Sequence, residues 1–154
     1  MYDAGSNVLI IGGDGNDTIQ NRGDTVTIEG NAGDDYISSS YGSNVSISGG
    51  KGNDDINVIR SEKVTISGGD GNDDIYNAWE HFVTIAGGKG ADTINNTTPL
   101  YLVGDINGVD ISINCGSGND CICSDSWNTT ITGGTGNDLV SLISTGNHLA
   151  FRRR

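Results

Sequence analysis

Basic residues, histidine and proline are scarce in this 154-residue chain, which has eight Lys plus Arg, two His and one Pro against twenty Asp plus Glu. The shortage of basic residues disfavours nucleic acid as a partner, because phosphate binding needs basic patches. The histidines, His81 and His148, have no plausible nucleophile beside them, so we expect a protein that is not an enzyme. No stretch is apolar for long enough to span a membrane, and residues 1–4 show no secretion signal.

A hydrophobic period of 3.6 residues is also missing, so we expect almost no helix. Aliphatic residues recur instead at intervals of nine or ten, and apolar and polar residues alternate around them, as in Val26-Thr27-Ile28. Such alternation is typical of half-buried strands, whose β-branched side chains suit a pleated surface. Because Pro99 is the lone proline, the strands keep their backbone donors. We predict an all-β chain with two short strands in every 18–19 residues.

Glycine is abundant, with 25 residues, and it is concentrated in a phrase of eight residues that occurs seven times. The first copy, GGDGNDTI, runs from Gly12 to Ile19, and the others begin at residues 30, 49, 68, 87, 115 and 133. A fixed period near 19 residues predicts a solenoid, in which each period is one coil stacked on the next. The chain is long enough for about eight coils, and their core would be a thin aliphatic strip.

The sixth residue of every copy is Asp, and stacking turns this column of the sequence into a row of carboxylates about 4.8 Å apart, the strand spacing of a sheet. Carboxylates at this spacing repel one another, so the row predicts cations between its members. Its members are Asp17, Asp35, Asp54, Asp73, Asp92, Asp120 and Asp138.

The repeated phrase resembles the RTX nonapeptide, the hemolysin-type calcium-binding repeat, over about residues 8 to 140. The resemblance implies a right-handed parallel β-roll that holds Ca²⁺ between successive turns, with the Asp row supplying side-chain ligands and the loop backbone supplying carbonyl oxygens. Ca²⁺ is a hard ion that takes oxygen ligands. Seven loops leave room for up to about six ions. The glycines expected to supply backbone ligands are Gly13, Gly15, Gly33, Gly50, Gly52, Gly69, Gly71, Gly88, Gly90, Gly116, Gly118, Gly134 and Gly136.

The other half of each coil lacks the motif, because Val26, Val45, Val64 and Val83 stand where an Asp would be. We therefore expect calcium along one edge, the loop edge, and variable turns along the opposite, plain edge. A one-edged coil of 19 residues is similar to the ice-binding region of large bacterial RTX adhesins, which carries Thr at the third loop position. Here that position is charged and irregular, which argues against ice binding at the loop edge. It is occupied by Asp14, Ala32, Lys51, Asp70, Lys89, Ser117 and Thr135.

One interval between repeats, from Asp92 to Asp120, is 28 residues long rather than 18 or 19. The nine additional residues, within 95–113, either bulge from the plain edge or add half a coil, which would move the last two loops to the other edge. Pro99 and the apolar run at residues 100–103 favour the bulge, as a small hairpin. We treat residues 1–154 as one solenoid domain.

Two surfaces offer a ligand-binding alternative to a purely structural role. The outer strand face carries a row of hydroxyl groups that could bind ice or a glycan, although Thr and Ser are also ordinary solvent-facing strand residues. This row comprises Thr27, Ser46, Thr65, Thr84 and Thr130. The plain edge gathers aromatic residues around an arginine placed for cation–π contacts, and it could bind a partner or glycan or simply shield the open turns. These residues are Tyr41, Arg60, Trp79 and Trp127.

Three cysteines, Cys115, Cys121 and Cys123, cluster in one coil and lack the nearby histidines of a zinc site. Cys121 and Cys123 lie two apart on one strand, where they are poorly placed for a mutual disulfide. A contact between Cys115 and Cys121, an inter-chain bridge and free thiols without a function all remain open.

The sequence shows no polar cap at either end of the repeats. An uncapped end leaves a strand edge unpaired, and such an edge can pair with a strand of another chain. The chain is therefore either part of a longer adhesin or a subunit that associates head to tail. End-to-end contact would involve Leu9, Ile11, Leu142 and Leu149. We expect a calcium-stabilised structural module that serves as an adhesin segment, spacer or filament subunit. The resemblance and the need for calcium imply an extracellular or cell-surface location in bacteria.

Overall fold

The computed structural model describes residues 1–3, 5–78, 81–97, 110–126, 128–143 and, for the backbone alone, 149–152. These residues form sixteen strands and no helix, and hence no helix that could cross a membrane. The strands lie in two sheets of eight, and neighbouring strands within each sheet run parallel. The parallel β-solenoid that the repeats predict is confirmed.

The chain alternates between the two sheets, so that consecutive strands belong to opposite sheets. The first sheet contains β1 (Tyr2–Asp3) and the strands that follow the Gly-rich loops: β3 (Thr18–Asn21), β5 (Tyr36–Ser40), β7 (Asp55–Ile59), β9 (Asp74–Ala78), β11 (Thr93–Thr97), β13 (Cys121–Ser124) and β15 (Leu139–Leu142). The second sheet contains the strands that lead into those loops and β16 (Leu149–Arg152); the former are β2 (Val8–Asp14), β4 (Val26–Ala32), β6 (Ser43–Lys51), β8 (Glu62–Asp70), β10 (His81–Lys89), β12 (Ile111–Ser117) and β14 (Thr129–Thr132).

The pairing register keeps equivalent residues of successive coils side by side. Across the long interval, Gly88 pairs with Gly116 in the second sheet and Ile94 pairs with Ile122 in the first. The sixth loop therefore lies on the same edge as the five loops before it. The hairpin expected around Pro99 falls at residues 98–109, outside the described residues.

An aliphatic ladder fills the space between the sheets. In β8, Val64 and Ile66 are buried while Thr65 between them faces solvent, and Ile56 and Ile75 are fully buried in the opposite sheet. Burial contributes roughly 1.5–3 kcal/mol for each such side chain. The strip is only one or two side chains wide, so the stability of the fold also depends on the interactions between coils at the loop edge and the plain edge.

Polar side chains occupy the inward-facing positions near the plain edge. The aliphatic pattern of the sequence did not predict which side chains would be buried there. Asn77 Nδ2 donates to Asn96 Oδ1 at 2.6 Å, and Asn96 Nδ2 donates to Ser124 Oγ at 3.2 Å in the next coil. Asn21 Nδ2 likewise donates to Ser39 Oγ at 3.0 Å. These side chains are buried and hydrogen-bonded between coils, so they tie together the edge that has no loop motif.

The loop glycines allow a sharp test of coil stacking, because Gly15 and Gly52 hold the same loop position and both have positive φ. A Cβ on Gly15 would meet nothing within 4 Å, whereas a Cβ on Gly52 would overlap the Gly33 carbonyl of the preceding coil. Gly15→Ala should cost only backbone strain of about 1–3 kcal/mol. Gly52→Ala should cost at least about 1 kcal/mol more, because the two coils must separate.

The measurement is denaturant unfolding of both variants and the wild type in calcium. Equal destabilisation by the two substitutions would contradict the close approach of the loop backbones.

Candidate metal-binding edge

The Gly-rich loops owe their shape to left-handed backbone positions. All thirteen glycines expected to supply backbone ligands have positive φ, between 100° at Gly15 and 148° at Gly118. L-residues rarely adopt these angles, which explains why glycine recurs at the second and fourth loop positions. Asn31, with φ of 82°, is the one substitute among them. These turns bring the loop backbones of successive coils close together along the loop edge.

The Asp row lies inside this edge rather than on its surface. Asp35, Asp54, Asp73, Asp92 and Asp120 are at most 2% exposed. From Asp17 to Asp120, each backbone N–H in the row donates to Oδ1 of the Asp in the following coil, at 2.8 Å from Asp17 to Asp35 and 2.9 Å from Asp54 to Asp73. The aspartates therefore also join the coils by hydrogen bonds, a role that the sequence pattern alone did not reveal.

The second carboxylate oxygen of these residues is buried and has no hydrogen-bond partner. This holds for Oδ2 of Asp17, Asp35, Asp54, Asp73, Asp92 and Asp120. Burial of an ionised oxygen without a partner is strongly unfavourable, so a repeated instance needs an explanation such as a bound ion.

The surroundings of these oxygens fit an oxygen-seeking cation. At Gly12, the point where a Cβ would lie is 2.7 Å from Asp17 Oδ2 and 2.8 Å from the Gly30 carbonyl oxygen of the next coil. The same pair of oxygens, one carboxylate and one carbonyl, converges at the first residue of the next four loops. Glycine at this position leaves room that any side chain would fill.

Burial raises the pKa of three carboxyl groups in the middle of the row, those of Asp54, Asp73 and Asp92, to about 6. Hydrogen bonds from backbone N–H groups oppose this increase, and neighbouring carboxylates add to it. Without an ion, the ionised row is thus held at a cost from both desolvation and mutual repulsion. A cation beside Oδ2 would remove both causes.

No group of three or more His, Cys, Asp or Glu side chains able to hold a metal lies within the described part of the chain. Such a group is not required here, because Ca²⁺ readily takes backbone carbonyl oxygens as ligands. A site between two loops would combine one or two Asp side chains with carbonyls of the glycine turns. The residues present therefore fit a calcium site built largely from backbone.

The fifth loop position forms a second hydrogen-bonded row outside the first. Asn16 Oδ1 accepts from Asp34 N at 3.0 Å, and Asn53 Oδ1 accepts from Asn72 N at 2.8 Å. These side chains accept from the following coil, whereas the Asp row accepts from the preceding one. The recurrence of Asn or Asp at this position was a signal in the sequence. Ala91, in the fifth loop, has no side-chain acceptor to offer.

Cys115 is the one departure at the first loop position. Its thiol is fully buried, and burial raises its pKa to about 12, with the charge of Asp120 as a further cause. It therefore stays neutral and fills space that glycine leaves open in the other loops. Cys121 is exposed on the outer face, and all three cysteines are free. The sixth loop thus has less room beside Asp120 than its neighbours have beside theirs.

The remaining sequence-predicted residues that the structure describes lie away from the loop edge. Arg60 Nη1 donates to Tyr41 Oη at 2.9 Å, and its guanidinium lies 5.6 Å from the ring centroid. Trp79 and Trp127 fall outside the described residues. The hydroxyl row is exposed on the outer face of the second sheet and comprises Thr27, Ser46, Thr65, Thr84 and Thr130.

The four apolar residues expected at the ends are divided between the sheets. Leu9 and Ile11 are 58% and 49% exposed in β2, in the second sheet. Leu149 lies in β16 of the same sheet, whereas Leu142 lies in β15 of the first. A copy stacked end to end in register would therefore bring Leu9 towards β16 and not towards Leu142.

A parallel solenoid with a continuous row of buried carboxylates and turn carbonyls along one edge is a cation-binding repeat protein. The family model for the RTX calcium-binding nonapeptide repeat matches residues 2–25, 11–45, 41–58, 64–79, 84–95 and 128–141, together more than half of the chain. The chain belongs to this family, and Ca²⁺ is the ion that its repeats bind. Neither a search of curated proteins nor a search of solved structures gave a match.

Asp73 lies in the middle of the row and can be tested without removing its hydrogen bond, because Asn keeps Oδ1 and loses the charge. Asp73→Asn should raise the calcium concentration needed for folding by at least about tenfold, since even changes beside metal ligands cost 10- to 100-fold in affinity. Asp17→Asn, at the end of the row, should cost less, because Asp17 adjoins one site instead of two. The measurement is a calcium titration followed by circular dichroism.

The matched control is Asp74→Asn, which removes the same charge from the adjacent, solvent-facing position. It should leave the calcium midpoint nearly unchanged. Equal midpoints for Asp73→Asn and Asp74→Asn would rule out Asp73 as a ligand.

Proposed function

We propose that residues 1–154 form one non-enzymatic structural domain of an extracellular bacterial protein, stabilised by up to about six Ca²⁺ ions along the loop edge. The observation that carries this proposal is the row of six buried Oδ2 atoms without partners. The seven Asp side chains of the row and the carbonyls of the loop glycines are the proposed ligands.

Charge supports a number of ions close to six. The chain has a net charge of −12 at pH 7, and six divalent ions between seven loops would neutralise it. Adjacent ions share Asp residues, so each ion bound completes part of the next site. Binding along the row should then be cooperative with folding.

The family and the chemistry both support an extracellular location. RTX repeat proteins are typically secreted by bacteria. Extracellular calcium modules bind in the range of about 10⁻⁴–10⁻³ M, which is far above the level inside cells. A chain whose fold requires such calcium would be rigid outside the cell and unstable within it.

The structural role proposed is that of a spacer, an adhesin segment or a filament subunit. Among the described residues, β2 and β16 each have a strand partner on one side only. Leu9 and Ile11 at the outer face of β2 are exposed, which favours contact with a further coil, whether of the same chain or of another copy. Negative-stain electron microscopy in calcium distinguishes a filament subunit from a segment of a longer protein, because only a subunit that associates head to tail forms long fibres.

Removal of calcium should unfold most of the chain, because the Asp row repels itself and the aliphatic core is thin. Circular dichroism should show a disordered spectrum in EDTA and a β spectrum after excess Ca²⁺ is restored. Mg²⁺ should restore little structure at the same concentration, because it demands tight octahedral geometry and keeps its waters.

A full β spectrum in EDTA would refute calcium-coupled folding. Equal recovery with Mg²⁺ would show that the loops supply only negative charge and no calcium-sized site.

A further inference from the structure

The outer face of the second sheet carries a groove of about 430 Å³, and none of its described lining residues belongs to the Asp row. Three successive strands, β10, β12 and β14, provide its floor through the paired residues Thr84, Ser112 and Thr130. Phe82, Asp110 and Asn128 provide one wall, at the corner where the chain enters these strands. The groove thus spans three coils whose strands are about 4.8 Å apart. Each coil is one rung of a grid and contributes one corner residue and one hydroxyl group.

Phe82 distinguishes this part of the face from the earlier coils. The same corner is occupied by Asn7, Thr25, Asn44 and Lys63, all with φ between 54° and 60°. Phe82 adopts the same left-handed conformation, with φ of 57°, and the residue is 47% exposed. The left-handed turn is therefore a property of the corner itself and not of Phe82. Phe82 differs from the other corner residues in placing an exposed aromatic ring where they carry polar side chains.

The polar groups around the ring are arranged to bind hydroxyl groups. Asn128 Nδ2 donates to Asp110 Oδ1, which fixes both side chains and leaves Asp110 Oδ2 and Asn128 Oδ1 as acceptors. Each floor hydroxyl can donate one hydrogen bond and accept others. Asp110 is the one charged residue among the described lining residues, so the groove disfavours anions.

We propose that this groove binds a neutral oligosaccharide, with Phe82 stacked on the apolar face of one sugar ring and the Asp110–Asn128 pair and floor hydroxyls bound to sugar hydroxyl groups. A sugar chain matches the grid because it presents an apolar ring face, several hydroxyls that donate and accept, and a repeat comparable to the spacing of the rungs. This site is separate from the calcium loops and requires them only for the fold. Of the hydroxyl row expected from the sequence to bind a ligand, this proposal uses only the segment that contains Thr84 and Thr130.

The test uses saturation-transfer difference NMR on the calcium-loaded chain with four neutral probes: cellotetraose, laminaritetraose, tetra-N-acetylchitotetraose and maltotetraose. At least one should receive saturation, and its titration should shift the amide signals of Thr84 and Ser112. Phe82→Ala should weaken binding by about tenfold or more, as expected for loss of an aromatic contact. An alginate tetrasaccharide, which is anionic, should not bind.

Asn44→Ala is the matched control, because Asn44 holds the same left-handed corner two coils earlier and Ala suffers the same backbone strain there. It should change the affinity by less than about twofold. Should Phe82→Ala fail to fold in calcium, Phe82→Lys copies the corner of the preceding coil, and Thr84→Val removes one floor hydroxyl; both should weaken binding. Absence of binding by all four neutral probes, or binding that Phe82→Ala and Thr84→Val leave intact, would overturn the proposal.

Discussion

A carboxylate buried between two coils, with one oxygen hydrogen-bonded and the other without a partner, is costly to keep ionised unless a cation lies beside it. Six such oxygens follow one another along the loop edge, from Asp17 to Asp120. The hydrogen bonds of Oδ1 to neighbouring backbone fix their positions, so the row cannot relieve its repulsion by turning outward while the coils stay stacked. If Ca²⁺ binds along this row as proposed, the solenoid and the ions depend on each other.

The glycines are the reason that this arrangement is possible. Their loop backbones approach so closely that a Cβ on Gly69 or Gly88 would overlap a carbonyl oxygen of the preceding coil. This approach brings carbonyl and carboxylate oxygens together, an arrangement that fits a calcium site and that is unfavourable without a cation. The plain edge has no such row of charges, since neutral Asn and Ser side chains form hydrogen bonds with one another there. One edge of the solenoid thus responds to calcium and the other holds the coils in register.

The sequence predicted the solenoid, the inward isoleucines, the Asp row and the glycine loops, because each is a repeated choice of residue that stacking converts into a spatial row. It did not predict features that depend on contacts between coils. The Oδ1 hydrogen bonds, the buried Asn77–Asn96–Ser124 series and the burial of Cys115 come from distances that no single repeat contains. The groove at Phe82 was also missed, because Phe82 and Asp110 are far apart in sequence and meet only through the pairing of β10 with β12. Trp79 and Trp127 lie outside the described residues, so their proposed contacts at the plain edge stay predictions.

The most direct test of this account is a crystal structure of the calcium-loaded chain, with the ions located by anomalous scattering. The account predicts an anomalous peak between successive loops, each within about 2.3–2.6 Å of an Asp Oδ2 and of backbone carbonyl oxygens from both coils. An intact solenoid with no peaks at the loop edge, or with ions bound instead to the solvent-facing Asp55 and Asp74, would contradict it.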